Sequence, residues 1–112
     1  MGAGPDDLTA AAELLRALAN PHRIAIVRAL QDEPRCVHEL VGALGVSQPL
    51  VSQHLRVLRA VGLVRPRRRG KEIVYSLGDE HVARIVHDAV VHAAERSTGP
   101  VGTGAAATKG DR

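Results

Sequence analysis

Apolar residues recur along this chain with two different periods, and the change of period marks its architecture. From 7 to 19 (DLTAAAELLRALA) the spacing is helical, with Asp6 or Asp7 placed to cap the first turn. Asn20-Pro21 interrupts the pattern. An Asn cap followed by Pro at the first helical position opens a second helix, PHRIAIVRALQ, with Ile24, Val27 and Leu30 on its apolar face and Ile26 beside it. The cluster DEPR at 32–35 predicts a turn. In VHELVGAL, Val37, Leu40, Val41 and Leu44 fall at i, i+3, i+4 and i+7, an amphipathic helix that Gly45 ends. Ser47 caps a fourth helix, QPLVSQHLRVLRAVG, which tolerates Pro49 in its first turn. Leu50, Val51, Leu55, Leu58 and Val61 form its buried stripe.

After Gly62 the period becomes two. LVRPRR and EIVYSL read as short strands around RGK, a hairpin with Gly70 at its turn. Ile73, Tyr75 and Leu77 alternate with Glu72, Val74 and Ser76, as on a strand covered on one side. Asp79 starts a last helix over about 80–96. The predicted order is α-α-α-α-β-β-α, mainly helical with a small β-hairpin, without internal repeat or second domain. Residues 1–6 read as a flexible arm and 7–96 as the folded domain. The small, polar, Gly-rich stretch 97–112 reads as a disordered tail.

Composition sharpens this outline. Phe and Trp are absent and Tyr75 is the single aromatic, so the core is built from Leu, Val, Ile and Ala. Such a small, light core is marginal alone, and burial in a homodimer relieves it. Cys36 is the only thiol, which excludes a disulfide framework and a cysteine-rich zinc finger. No apolar run or leader pattern implies a membrane, so the expectation is a cytoplasmic protein. No nucleophile–base arrangement or cofactor loop is visible, so it does not read as an enzyme.

The net charge of +3 is modest, and its placement matters more. Two short helices joined by LGVS make a helix-turn-helix. Ser47, Gln48, Ser52, Gln53 and Arg56, with His54 as a further candidate, occupy its outward positions, and amides and hydroxyls there suit base edges. The hairpin immediately downstream carries RPRRRGK, with Arg65, Arg67, Arg68, Arg69 and Lys71 available to neutralise phosphates. Helix-turn-helix plus basic hairpin is a winged helix.

The last helix holds a second kind of chemistry. DEHVARIVHDAVVHAAE contains His81, His87 and His92 with Asp79, Glu80, Asp88 and Glu95. His81 and His92 are eleven residues apart and return to nearly one face, but at ~1.5 Å per residue they lie roughly 16 Å apart along the axis. One ion cannot reach both within a chain. His92 and Glu95 at i, i+3 form one bidentate pair. Asp79 and His81 form another if Asp79 is the non-helical cap. Antiparallel pairing of two such helices about a twofold axis gives two equivalent sites, each with two imidazoles and two carboxylates, a set that suits Zn²⁺. The alternatives are a plain N-cap for Asp79, a rim histidine for His92 and an exposed helix residue for Glu95. Asp88, at i, i+4 from His92, is a rival ligand.

These residues resemble the ArsR/SmtB family of metal-sensing winged-helix repressors over roughly 8–96. LRALANPHRIAIVRAL is similar to the family's opening helices, and CVHELVGALGVSQPLVSQHLRVLRAVGLVRPRRRGKEIVYSL to its helix-turn-helix and wing. The spacing D-x-H-x10-H-x2-E at Asp79, His81, His92 and Glu95 looks like its zinc motif. The resemblance implies a homodimer with two regulatory Zn²⁺ per dimer, bound to an imperfectly palindromic operator when metal-free and released when metal binds. By the same resemblance, the free ring nitrogen of His92 relays the signal towards the recognition region. Where relatives carry ELCVCDL this chain has PRCVHELV, so Cys36, His38 and Glu39 look like the vestige of a second metal site. A Ni²⁺- or Co²⁺-responsive repressor and a metal-independent protein answering through the Cys36 thiol are the rival readings.

Overall fold

The computed structural model describes residue 2 and residues 4–97. The elements run α1 (Pro5–Leu18), α2 (Pro21–Ala29), β1 (Arg35–Cys36), α3 (Val37–Leu44), α4 (Gln48–Ala60), β2 (Val64–Arg69), β3 (Glu72–Leu77) and α5 (Glu80–Ser97). Five helices and a hairpin stand where the periodicity puts them. The expected tail 97–112 lies outside the described residues beyond Ser97, which closes α5.

Local chemistry accounts for the helix ends. The Asn20 side chain accepts from the N–H groups of His22 (2.9 Å) and Arg23 (3.2 Å), with Pro21 at the first helical position. Ser47 accepts from Leu50 N–H at the head of α4. Gly45 ends α3 in the left-handed region, φ 71°, which a Cβ would strain. At the N-terminus the structure departs from expectation. α1 begins at Pro5, inside the stretch read as a flexible arm, and Asp6 and Asp7 sit in its first turn rather than capping it. The Asp7 carboxylate reaches back to accept from Gly4 N–H, 3.1 Å.

One core joins all layers. Ile26 and Val27 of α2, Leu40 of α3, Val51, Leu55 and Leu58 of α4, and Leu63 and Val64 at the wing root pack with Val82 and Val86 of α5. The hairpin pairs Arg69 with Glu72 through Val64 with Leu77. The sheet has a third strand that the sequence pattern did not show: β1 pairs antiparallel with β3, Arg35 opposite Tyr75 and Cys36 opposite Val74, giving the order β1-β3-β2. That strand explains a reversal along β3. Val74, expected on the open face, is buried, whereas Ile73 near the hairpin tip is exposed. Tyr75 and Leu77 pack against the core as expected. Among the described residues no helix is long and apolar enough to cross a membrane.

Candidate functional site

Two surfaces carry the candidate chemistry. On α4, Gln48, Gln53 and Arg56 are exposed and Ser52 is half-buried, with Ser47 exposed at the cap. A short, firmly rooted helix thus presents amide, hydroxyl and guanidinium groups in one row. Arg67, Arg68, Arg69 and Lys71 are exposed around the hairpin tip, where four cations with no carboxylate within salt-bridge distance among the described residues suit a polyanion.

Two basic residues leave that surface. His54 is 8% exposed and faces inward, its ring 5.5 Å from that of His22 and tilted by 59°. Its Nε2 and the Nε of Arg23 are buried without a hydrogen-bond partner among the described residues. Burial, reinforced by Arg23 and His22, holds the His54 imidazole below the ordinary histidine value of 6.5. Arg65, counted with the wing cations, instead donates from Nη2 to the Gly78 carbonyl and ties the root of β2 to the start of α5.

The Asp79–His81 pair forms as the spacing predicts. Asp79 Oδ1 caps α5, accepting from His81 N–H (2.8 Å) and Val82 N–H (3.3 Å), and His81 Nδ1 lies 3.5 Å from the same oxygen. Both side chains face solvent, 60% and 81% exposed, so neither is consumed by the core. His92 and Glu95 are exposed one turn apart in the last half of α5, and His87 and Asp88 are exposed as well. Among the described residues no group of three or more metal-capable side chains gathers within the chain. The Asp79–His81 pair and the His92 and Glu95 side chains are thus not brought into one group within the chain.

Among the described residues the vestigial set does not gather as a group of three, although Glu39 folds back onto Cys36. Cys36 is buried opposite Val74. The Glu39 carboxylate is engaged as a cap, accepting from Cys36 N–H at 2.9 Å. That bond, ahead of a smaller opposing desolvation, holds Glu39 below the ordinary carboxyl value of 4.5. His38 is exposed.

The sequence model for bacterial regulatory proteins of the arsR family matches residues 20–65, which run from the cap of α2 into the wing. The HTH-type transcriptional regulator NmtR of Mycobacterium tuberculosis is 46% identical over 91 residues, covering 79% of this chain and 76% of that protein. The chain belongs to the ArsR/SmtB family. The HTH-type transcriptional repressor SmtB of M. tuberculosis is 62% identical over 88 residues, 79% of this chain, and the match spans 65% of that repressor's length. A solved structure, the homodimeric winged helix-turn-helix DNA-binding domain from Mycobacterium bovis, superposes with TM-score 0.74 at 31% identity, covering 86% of this chain and 90% of that one. The matched family model and both relatives are named as regulatory proteins.

Sequence reasoning missed the inward turn of His54 and the Arg65–Gly78 tie. For the first, the signal was present: His54 lies one position before Leu55, on the edge of the buried stripe of α4. For the second there was none, because the tie depends on where β3 delivers the chain.

Proposed function

We propose that this protein is a zinc-responsive transcriptional repressor. It acts in the cytoplasm as a homodimer, holds a twofold-related operator when metal-free, and releases it when zinc binds between the protomers. The observation that carries this reading is the pair of exposed half-sites on α5. Asp79 and His81 converge at its start, and His92 with Glu95 faces solvent near its end. They are too far apart for one ion, so each is completed by the other from a second chain, giving two sites per dimer. The donor set of two imidazoles and two carboxylates fits Zn²⁺.

Zinc bound there supplies a fixed crosslink between helices of two protomers. The chain's own residues do the rest. Gln48, Ser52, Gln53 and Arg56 meet base edges in the major groove, and Arg67, Arg68, Arg69 and Lys71 meet the backbone beside it. Regulation requires that the crosslinked dimer fit DNA worse than the free one, a coupling free energy between the two surfaces. Large apolar side chains left outside on α1 (Leu8, Leu15) and α5 (Ile85, Val91) support the dimer. Against the thiol-responsive alternative stands Cys36, which is buried.

The test is operator binding by fluorescence anisotropy at fixed salt, with and without stoichiometric zinc. Zinc weakens binding if the reading holds, and unchanged affinity overturns it. His92→Ala removes most zinc binding while leaving metal-free operator binding in place, and Cys36→Ser leaves regulation intact. Nickel and cobalt titrations in the same format separate the metals: a stronger response to either one transfers the assignment to that ion.

A further inference from the structure

The segment that joins β3 to α5 is stitched to the DNA-binding half of the chain at three points. Gly78 N–H donates to the Leu63 carbonyl at 2.9 Å, and Leu63 N–H donates to Leu58, in the last turn of α4, at 2.9 Å. The Gly78 carbonyl accepts from the Arg65 guanidinium at the root of the wing. The backbones also touch, since a Cβ on Gly78 would stand 2.2 Å from the Gly62 carbonyl oxygen. Gly78 is buried, and no room is left for a side chain between it and Gly62.

The next residue is Asp79. Its carboxylate holds the first turn of α5 through the N–H groups of His81 and Val82 and lies beside the His81 ring. Any ion that draws the Asp79 carboxylate and the His81 imidazole together acts on residues directly bonded to the Gly78 peptide. The N–H of Gly78 is tied to Leu63, in the link between α4 and β2, and its carbonyl to Arg65 of β2. A displacement at Asp79 must therefore break those hydrogen bonds or carry Leu63 and Arg65 with it.

We infer that the Gly78 peptide, clamped by Arg65 and Leu63, couples the Asp79–His81 half-site to the recognition helix and wing of the same chain, with Arg65 a positioning residue and not a phosphate contact. This inference rests on the metal-responsive reading above. It adds to it a route within one protomer that starts from the first half-site.

The test compares wild type, Arg65→Gln and Arg65→Lys as full chains. Three quantities are read: zinc affinity without DNA by chelator competition, operator affinity with and without zinc, and the salt dependence of metal-free binding. In the wild type the ratio of metal-free to zinc-bound operator affinity exceeds one. A ratio of one removes the regulatory reading itself, and the route with it. If the route operates, Arg65→Gln lowers that ratio by about fivefold or more while zinc affinity stays within about threefold, a change too small to account for that loss of coupling. Arg65→Lys, which keeps a donor and the charge, recovers part of the ratio. The salt slope of Arg65→Gln stays that of the wild type. A slope reduced by about one marks a lost phosphate contact and overturns the assignment, as does a wild-type ratio in Arg65→Gln. Backbone amide resonances give an independent readout. Zinc shifts Leu63 and Arg65 in the wild type, and the shifts shrink in Arg65→Gln if the clamp carries them; equal shifts in both proteins count against it.

Discussion

His54 lies on the inward side of the recognition helix, its Nε2 without a hydrogen-bond partner among the described residues and two further basic side chains, His22 and Arg23, beside it. Its folded-state pKa lies below 6.5, mainly through burial. The unfolded chain takes up this proton near pH 6.5 and the folded chain only at lower pH. Stability is thus fully present above about 6.5 and is lost as pH falls below that value towards the folded pKa. Urea midpoints of metal-free protein at fixed concentration should therefore fall between pH 7.5 and 5.5, and fall less in His54→Leu. Equal pH dependence in the two proteins would refute the account. Gly78 makes a steric prediction at the same scale. Ala at this position places a methyl group 2.2 Å from a backbone oxygen that cannot rotate away. Gly78→Ala should cost about 1–3 kcal/mol, the range for forced overpacking, read from the same urea transitions. Gly42→Ala is the control, since a Cβ there meets nothing within 4 Å.

At the scale of elements, the helices are held by contacts that are local in sequence. Asn20 engages two otherwise orphaned N–H groups at the head of α2, and Asn20→Ala should destabilise the fold by about 1 kcal/mol, with the denaturant slope unchanged. Such contacts are what made the helices legible. Asn20-Pro21, Gly45, Ser47 and Asp79 each act within four residues of themselves, so reading them needs no tertiary knowledge. β1 was not legible because a strand of two residues has no period, and it exists only where β3 passes close enough to pair. The same reason hid the burial of Val74 and the engagement of Arg65. The candidate site divides along the same line. The Asp79–His81 pair follows from a cap at a helix start, and the structure has it. The vestigial Cys36, His38 and Glu39 set looked like ligands in a string, but among the described residues the three do not gather: Glu39 folds back onto Cys36 to close the first turn of α3, Cys36 enters the core, and His38 stays exposed.

For the whole molecule the deciding quantity is apolar surface left uncovered. Leu8 and Leu15 of α1 are 63% and 54% exposed, and Ile85 and Val91 of α5 are each 39% exposed. In a chain without Phe or Trp, leaving four large aliphatic side chains in water forfeits a sizeable part of the burial that a small core can supply. In the proposed homodimer, pairing α1 and α5 with a second copy would recover it. Leu15→Glu places a charge on that face and should shift the protein from dimer to monomer at micromolar concentration, measured by sedimentation. Two further losses should follow together. A monomer offers only the Asp79–His81 pair or the His92–Glu95 pair to an ion, so zinc affinity drops. A monomer also reads one half-site rather than two, so operator affinity drops and its salt dependence becomes shallower as fewer phosphates are engaged. The wing residues Arg67, Arg68, Arg69 and Lys71 are untouched by the substitution, which leaves nonspecific attraction per protomer intact. A Leu15→Glu protein that sediments as a dimer would move the interface away from α1. One that sediments as a monomer yet keeps wild-type zinc affinity would show that a single chain completes the site, against the separation of its half-sites along α5.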